Sequence, residues 1–351
     1  MFDKSTWIKL PRNVVIGHGV LGQVGAAVGD LHLSGQPLLV TSPTPDRLAG
    51  DRLRAQFEIE PHTVTVETAS FASVEAVAET ALAEETDYII ALGGGKAIDI
   101  AKMAAERVDC GFVSVPTVAS HDGIVSGRSS IPEGDTRHSV AADPPLAVIA
   151  DTELLAQAPW ELTTAGCADI ISNYTAVKDW QLAHRLKNVE YSEYAGALSE
   201  MTAEMLVDSA DSIKPGLEES AWVVVKALVS SGVAMSIAGS SRPASGAEHL
   251  FSHQLDRLVP NTALHGHQVG VGAIMTEYLH SGEKGQWRNI RDALERIDAP
   301  TTARGLGVDA ETVIEALTTA HTIRDRYTIL GDGVSEDAAR EVARVTGVIE
   351  E

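Results

Sequence analysis

Three residues of metal-ligating types, Asp169, His249 and His265, carry the most chemical content of this sequence. One carboxylate and two imidazoles leave a zinc ion one open coordination position, which is the arrangement of a catalytic rather than a structural site. A run of three glycines that could hold phosphate groups lies upstream, at residues 93–95. The sequence therefore predicts that chemistry takes place at a metal ion.

The first histidine of the set lies in a predicted helix. Ser245, followed three residues later by Glu248, forms a capping-box pattern just before an apolar run, and this pattern predicts a helix start. At about 100° per residue, His249 and His253 share one face of that helix. Two histidines are therefore expected side by side, with the apolar residues on the opposite face.

The second histidine opens the following segment. Pro260 and Asn261 are expected to end the first helix, and His265 with Gly266 begins the next one. A lone histidine on a helix is usually an ordinary core or surface residue. The metal prediction therefore depends on the combination of ligand types rather than on either histidine alone.

Asp169 lies in the small, apolar stretch TTAGCADIISNYTAV, which has helical spacing and little sign of a solvated face. A carboxylate buried there needs a cation or several hydrogen bonds. A zinc ion would satisfy it, but so would the start of a neighbouring helix or an arginine. Spacing alone leaves these alternatives open.

The glycine run lies in DYIIALGGGKAIDIAKMAA, which predicts a buried strand over 88–92, a sharp turn, and a helix from Lys96 onward. Such a turn presents backbone N–H groups to a pyrophosphate at the positive end of the helix dipole. The glycines could instead serve only tight packing, and the usual G-x-G-x-x-G pattern is absent here. Lys96 and Asp99 favour a dinucleotide site.

Five segments together resemble one family. GGGKAIDIAK, VPTVASHDG, the Asp169 segment, SRPASGAEHLFSH and ALHGHQVGVG resemble, in the same order, the motifs of the glycerol-1-phosphate dehydrogenases. These belong to a superfamily that also holds glycerol dehydrogenase, iron-dependent alcohol dehydrogenases and dehydroquinate synthase. The opening LPRNVVIGHGVL is similar too, so the resemblance extends from about residue 9 to about residue 280.

The resemblance implies a role for each matching position. Asp169, His249 and His265 match zinc ligands. Asp122 and His253 match catalytic and substrate-binding residues, and Asp169 also lies beside the substrate. The implied cofactor-binding residues are Gly94, Gly95, Lys96, Ala97, Asp99, Thr117, Ser120 and Ser126.

Two positions differ from relatives in the superfamily. Asn173 stands where the iron-dependent alcohol dehydrogenases carry a further histidine ligand, which favours zinc over iron. The family usually has HGE where this chain has HGH, so His267 is left out of the expected ligand set.

The activity that the resemblance implies is the zinc-dependent reduction of dihydroxyacetone phosphate to sn-glycerol 1-phosphate by NADH or NADPH, for archaeal ether-lipid biosynthesis. Zinc would polarise the carbonyl, and the proton would pass through His253 or through solvent at the metal. A glycerol or other polyol dehydrogenase of the same fold is an alternative, although the ASHDG loop and the SRPASGAEH helix start argue against it. A lyase similar to dehydroquinate synthase is a third possible function.

Two arginines are candidates for binding phosphate groups. Arg242, just ahead of the His249 helix, is a candidate for the substrate phosphate, although a loop arginine bound to a backbone carbonyl is an equal alternative. In the SPTPDR loop after the second strand, Asp46 favours NAD and Arg47 favours NADP. We therefore predict that both cofactors are accepted.

The order of elements predicts two domains. Apolar runs at 13–17, 38–41, 63–66, 88–92 and 111–115 alternate with helical patterns, and a hairpin and a last strand follow before residue 155. Residues 1–155 are therefore expected to form an α/β dinucleotide-binding domain with a parallel sheet. Residues 156–351 are expected to form an all-α domain that binds metal and substrate, with the active site in the interdomain cleft.

The net charge of −22 comes from 49 acidic and 27 basic residues, and only nine of the basic residues are lysines. Such a surface repels nucleic acid and anionic membranes. It resembles proteins of salt-loving archaea, whose carboxylates are screened at high ionic strength. A merely acidic cytosolic protein is the alternative.

The remaining features fit a cytoplasmic enzyme that acts on a small-molecule substrate, and we expect a homo-oligomer. No apolar stretch near 18 residues and no signal peptide are evident in the sequence. Its two cysteines, Cys110 and Cys167, suit a reducing compartment. Cys167 lies two residues before Asp169 but is expected to serve helix packing.

Overall fold

The computed structural model describes residues 5–133, 136–260 and 262–350, with backbone only at 136–138. Eight strands occur in this part of the chain. They are β1 (Asn13–Gly17), β2 (Pro37–Thr41), β3 (His62–Thr65), β4 (Tyr88–Gly93), β5 (Gly111–Pro116), β6 (Arg128–Glu133), β7 (Thr136–Ala141) and β8 (Ala147–Asp151). The five early strands lie within one or two residues of the predicted runs.

Six strands form one parallel sheet in the order β1-β8-β5-β4-β2-β3. Every residue of β2, β4 and β8 is buried, as expected where helices cover both faces of a parallel sheet. Gly93, at the end of β4, is in register with Pro116, at the end of β5. The loops that follow these two strands therefore leave the same edge of the sheet.

The remaining two strands, β6 and β7, form an antiparallel hairpin in which Arg128 pairs with Ala141 and Glu133 pairs with Thr136. The sequence predicted both this hairpin and the last strand, β8. The hairpin lies against α5 (Gly95–Val108), the helix that follows the glycine turn.

Fifteen α-helices occur in the described residues. They are α1 (Val24–Asp30), α2 (Pro43–Pro45), α3 (Asp51–Arg54), α4 (Phe71–Ala83), α5, α6 (Thr152–Ala156), α7 (Trp160–Ile171), α8 (Asn173–Lys187), α9 (Glu193–Ser209), α10 (Glu218–Ala238), α11 (Ala247–Leu258), α12 (His265–Ser281), α13 (Trp287–Arg296), α14 (Ala310–Thr319) and α15 (Glu336–Val345). No strand occurs in the described residues after Asp151. The predicted fold class, a parallel α/β part followed by an all-α part, is confirmed.

Two elements differ from the sequence predictions. The SPTPDR segment is not a loop, because α2 continues through a π-helical turn at Asp46–Gly50 into α3. The helix α10 has an 18-residue window with a mean hydropathy of 1.7, so by length and composition it could cross a membrane. The prediction that no apolar stretch approaches this length was wrong. In the structure α10 packs against α9, and Val224, Val225 and Leu228 are fully buried.

The larger of two apolar clusters extends through both parts of the chain. It includes Leu38 and Ile89 on the sheet, Ile170 on α7, Phe251 on α11 and Leu317 on α14. A smaller cluster covers the opposite face of the sheet. Because one core is shared, the division into domains at residue 155 stays a prediction.

Candidate active site

A cavity of about 470 Å³ lies between the carboxyl edge of the sheet and the helical part. Its walls come from the glycine turn, the loop after β5, the β6–β7 hairpin, α7, α11 and the start of α12. Of the residues predicted to act in a site, Gly95, Lys96, Asp99, Ser120, Asp122, Ser126, Asp169, His249, His253 and His265 line it. Gly94, Ala97 and Thr117 are not among the lining residues. Most of the predicted residues are therefore brought together.

Asp169, His249 and His265 each offer one ligand atom, and these atoms lie within 4.8 Å of one another. Asp169 Oδ1 is 3.6 Å from His249 Nε2, and the His249 and His265 ring centroids are 5.1 Å apart. The residues come from α7, α11 and the first turn of α12. The predicted ligand set is therefore assembled from three separate helices.

A close helix contact makes this assembly possible. A Cβ atom on Gly266 would lie 2.0 Å from the carbonyl oxygen of Ala165, so only glycine allows α12 to approach α7 this closely. Ala165 lies one turn before Asp169, and Gly266 follows His265 directly. The glycine therefore sets the distance between the carboxylate and the imidazole.

Hydrogen bonds orient both imidazoles. His249 Nδ1 lies 3.0 Å from Glu248 Oε1, and His265 Nδ1 lies 2.8 Å from Ser252 Oγ. Because Ser252 Oγ donates its own proton to Gln268 Oε1 at 2.6 Å, it accepts the Nδ1 proton of His265. With a metal bound, each ring would carry its proton on Nδ1 and present the Nε2 lone pair to the site, which is the tautomer that a metal requires. The donor set fits a zinc ion.

The electrostatics also favour a cation. Burial and the neighbouring Asp169 raise the pKa of Asp122 to about 7. Burial opposes protonation of His249, but hydrogen bonds to Asp169 and Glu248 outweigh it and raise its pKa to about 9. Two carboxyl groups this close repel each other when both are ionised, and a divalent cation relieves that repulsion.

Asp122 lies in a short 3₁₀ helix after β5 and is oriented by a chain of hydrogen bonds. Asn173 Nδ2 donates to Ser231 Oγ at 3.1 Å, and Ser231 Oγ donates to Asp122 Oδ2 at 2.8 Å. The backbone N–H of Asp122 donates to Asp169 Oδ2 at 3.3 Å. Asn173, which the sequence linked only to the choice of metal, is therefore also a support for Asp122.

The two other histidines differ in their surroundings. The His253 ring stacks on that of His265, with centroids 5.5 Å apart, and it lines the cavity outside the ligand group. His267 Nε2 lies 2.9 Å from Thr164 Oγ1, and burial lowers its pKa to about 4. His267 is therefore a neutral side chain beside the site.

The start of α11 differs from the predicted capping box. The N-cap residue is Gly246 rather than Ser245. Glu248 Oε1 accepts the Gly246 N–H at 2.5 Å, and Asp179 Oδ2, from α8, accepts the Ala247 N–H at 2.7 Å. The prediction for Ser245 was wrong, because a carboxylate distant in sequence takes the place of its hydroxyl.

His121, which the sequence analysis missed, lies over the first turn of α5. A Cβ atom on Gly95 would lie 2.0 Å from His121 Nε2, so the glycine makes room for this ring. His121 Nδ1 accepts the Gly123 N–H at 2.9 Å, which leaves the proton on Nε2. An N–H donor therefore points to the helix N-terminus, where a pyrophosphate would bind.

Three of the other predicted nucleotide residues have structural partners, and Ser126 differs from them. Lys96 is exposed, and its Nζ donates to the Glu67 carbonyl oxygen at 2.5 Å. Asp99 Oδ2 accepts the Ser130 N–H at 3.1 Å, so it joins α5 to the hairpin. The Thr117 N–H donates to the Gly93 carbonyl oxygen at 3.0 Å. Ser126 is fully buried, and its Oγ has no partner in the described part of the chain.

Lys102, on α5, is fully buried and gave no signal in the sequence. Its Nζ donates to the carbonyl oxygens of Gly123, at 2.8 Å, and Arg128, at 2.5 Å. Burial lowers its pKa, although the nearby Asp99 opposes this. The lysine therefore holds the Asp122 turn and the start of the hairpin at the cavity wall.

Arg242 is not among the cavity-lining residues, whereas Arg128 and Arg324 are. Asp46 Oδ1 accepts a hydrogen bond from Arg54 Nη1 at 2.8 Å, and neither Asp46 nor Arg47 lines the cavity.

Curated relatives match the chain over its full length. A glycerol-1-phosphate dehydrogenase [NAD(P)+] of Halorubrum lacusprofundi is 75% identical, with 100% of both chains covered. One of Haloarcula marismortui is 74% identical over 99% of this chain and 100% of its own. One of Methanosarcina mazei is 53% identical over 99% and 98%. Residues 15–159 match a family model described as iron-containing alcohol dehydrogenase.

Solved structures share the fold. A probable glycerol dehydrogenase from Sinorhizobium meliloti has a TM-score of 0.81 at 18% identity and covers 97% of this chain and 98% of its own. Glycerol dehydrogenase from Schizosaccharomyces pombe has a TM-score of 0.80 at 18% identity and covers 98% and 92%. At this level of identity the likeness shows the fold alone.

Proposed function

Because this chain belongs to the glycerol-1-phosphate dehydrogenase family, we propose that it is a cytoplasmic, zinc-dependent enzyme that reduces dihydroxyacetone phosphate to sn-glycerol 1-phosphate. The product would supply archaeal ether-lipid biosynthesis. The observation that carries the proposal is the Asp169, His249 and His265 cluster, which shares one cavity with the glycine turn.

The metal and the nucleotide supply the reactive groups. Zinc, held by these three residues, would act as a Lewis acid on the carbonyl oxygen, and the reduced nicotinamide would supply the hydride. The orientation of the two imidazoles by Glu248 and Ser252 supports this choice of ligands.

The protein's own residues would hold the substrate and move the proton. Asp122, oriented by Ser231 and Asn173, would accept a hydrogen bond from a substrate hydroxyl group. His253, at the cavity wall beside His265, would give a proton to the oxygen of the product. Asp169 would lie against the substrate as well as the metal.

The turn between β4 and α5 would bind the pyrophosphate of NAD(H) or NADP(H). Gly94 and Gly95 allow Val118 and His121 to lie close to the start of α5, and His121 Nε2 adds a donor to the backbone N–H groups of the first turn. Ser120 and Ser126, which line the same cavity, would contact the cofactor, while Lys96, Ala97, Asp99 and Thr117 would shape the turn. The relatives carry NAD(P)+ in their names, which supports use of both cofactors.

A substrate comparison tests the proposed function. The purified protein is mixed with NADH or NADPH and, separately, with dihydroxyacetone phosphate, dihydroxyacetone or a sugar-acid phosphate, and absorbance of the reduced nicotinamide is followed. We expect rapid oxidation with dihydroxyacetone phosphate, slow oxidation with dihydroxyacetone and none with the sugar-acid phosphate. Preference for dihydroxyacetone would point to a glycerol dehydrogenase, and consumption of the sugar-acid phosphate without net oxidation would point to a lyase.

Metal analysis tests the zinc assignment. We expect about one zinc per chain and loss of activity with a chelator. Asp169→Asn should lose most of the metal, because a neutral amide is a much weaker ligand for a divalent cation than a carboxylate. Full zinc content and turnover in this variant would exclude Asp169 from the site.

A further inference from the structure

Two arginine side chains line the cavity and form no ion pair with any carboxylate that the structure describes. Arg128 begins β6, and Arg324 follows the 3₁₀ turn at Ala320–Thr322. Neither guanidinium group has a hydrogen bond or ion pair with any residue whose side chain the structure describes. Both are partly buried. An arginine that is partly removed from water and unpaired is costly, so these two positions require an explanation.

Two further arginines increase the local positive charge, and we call Arg128, Arg242, Arg324 and Arg326 the arginine cluster. Burial and the neighbouring Arg324, Arg242 and Arg128 lower the pKa of Arg326 to about 9. Burial and Arg128 also lower the pKa of Arg324, although the Glu248 carboxylate opposes this. Four cations therefore repel one another beside the cavity of a protein whose net charge is −22.

The members of the cluster differ in their hydrogen bonds. Arg326 donates to the Ser245 carbonyl oxygen and, at 2.8 Å, to Ser241 Oγ, so it holds the segment before α11. The main chain of Arg128 is held by Lys102. The guanidinium N–H groups of Arg128 and Arg324 are therefore available to a molecule bound in the cavity. Two guanidinium groups whose N–H donors have no acceptor among the described side chains are suited to bind the oxygens of a phosphate group.

We propose that Arg128 and Arg324 bind the phosphate monoester of the substrate. This inference rests on the proposed function and deepens it, because it assigns the residues that select a phosphorylated triose over dihydroxyacetone. Both arginines line the same cavity as Asp169, His249 and His265. Arg242, the candidate from the sequence, does not line the cavity, and its charge is one of those that lower the pKa of Arg326.

A cofactor 2′-phosphate is another source of the same chemistry. In folds of this type the ribose hydroxyls are recognised at the end of the second strand. Here that segment is α2 with the π-helical turn, and Pro45 lies close to Gly93 of the glycine turn. None of its residues lines the cavity beside the arginines. The geometry therefore favours the substrate phosphate.

The test uses Arg324→Gln and Arg128→Gln in the full-length protein, with Arg340→Gln as a matched control. Arg340 is exposed and pairs with Glu311 and Glu336 on the surface. Steady-state kinetics are measured with dihydroxyacetone phosphate, dihydroxyacetone, NADH and NADPH, and inhibition by inorganic phosphate is measured separately. Zinc content and circular dichroism establish that each variant is folded. If a glutamine variant does not fold, the lysine variant replaces it.

We expect each cavity variant to lower kcat/KM for dihydroxyacetone phosphate by roughly 10- to 100-fold, as for the loss of a charge-assisted hydrogen bond. Activity with dihydroxyacetone and KM for both cofactors should change by less than about twofold on the same principle, since neither contacts these residues. Inorganic phosphate should inhibit the variants more weakly. The control should behave as wild type.

Three results would overturn the inference. Unchanged kcat/KM for dihydroxyacetone phosphate in both variants would exclude the arginines while leaving the proposed function intact. A rise in KM for NADPH alone would assign them to the cofactor. If wild type does not reduce dihydroxyacetone phosphate at all, the proposed function fails, and calorimetry with inorganic phosphate then tests the arginines. Equal phosphate binding by wild type and variants, or no binding by wild type, would overturn the inference.

Discussion

At the scale of single residues, the ligand histidine and its neighbour one turn later have distinct surroundings. His249 Nε2 faces Asp169, whereas the His253 ring stacks on His265 outside the ligand group. We predict that His249→Ala loses both zinc and activity. His253→Ala should keep zinc and lose roughly 10²- to 10⁴-fold in turnover, the contribution typical of a general acid.

Metal content and kcat, measured on the same preparations, check this pair. His184→Ala is a suitable control, because His184 lies on α8 and does not line the cavity; its ring contacts Tyr191 and the Val189 carbonyl oxygen. Equal loss of metal from both active-site variants would contradict the separation of their roles.

Site residues with distinctive types and spacing could be predicted from the sequence. Residues whose partners are distant in the sequence could not. Asp169, His249 and His265 have distinctive types, and they do come together. Lys102 resembled any helix lysine, because its acceptors lie on a loop and a hairpin more than 20 residues away. Arg324 lies 52 residues beyond Gly272, where the last motif ends, so no pattern linked it to the cavity.

At the scale of elements, the contact between α7 and α12 determines the geometry of the proposed metal ligands. Gly266→Ala would place a methyl group 2.0 Å from the Ala165 carbonyl oxygen, so the helices must separate. We predict a loss of roughly 1–3 kcal/mol in unfolding free energy, the usual cost of overpacking. Zinc affinity should fall as well, since His265 moves away from Asp169.

Gly29→Ala, on α1, is the matched control, because nothing lies within 4 Å of the added Cβ and alanine favours a helix. Chemical unfolding and zinc titration of both variants give the comparison. A Gly266→Ala protein with wild-type zinc affinity would show that α12 can shift without moving its histidine.

Elements with regular patterns were predicted well. The alternation of apolar runs and helical segments gave the parallel sheet, and the turn residues gave the β6–β7 hairpin. The helical turn over SPTPDR was missed, because two prolines and a serine usually indicate a loop. The cap of α11 was misplaced by one residue, because Asp179 reaches it through tertiary packing.

At the scale of the whole molecule, the net charge of −22 predicts a dependence on salt. Repulsion among carboxylates destabilises the fold in dilute buffer, and the Debye length falls from about 10 Å at 0.1 M to about 3 Å at 1 M salt. We predict that Tm and activity rise from dilute buffer to molar potassium chloride. The relatives from halophilic archaea agree with this expectation.

Thermal unfolding across a salt series checks the prediction. Because excluded salts also strengthen apolar burial, potassium chloride is compared with potassium sulfate at equal ionic strength. Equal stabilisation by both salts indicates screening. A Tm that stays level or falls with potassium chloride would exclude salt adaptation and leave the enzymatic proposal unaffected.

The apolar cluster that extends from β4 through α7 to α11 limits how this protein can be recombined. A chimera that joins its first 155 residues to the helical part of a distant superfamily member would place two unrelated halves of one interior against each other. Two of the solved structures of this fold are 18% and 15% identical to the chain, so few core side chains of the two halves would pack together well. Exchange of cofactor preference is therefore better attempted at the exposed segment around Asp46 and Arg47, which lies outside that interior.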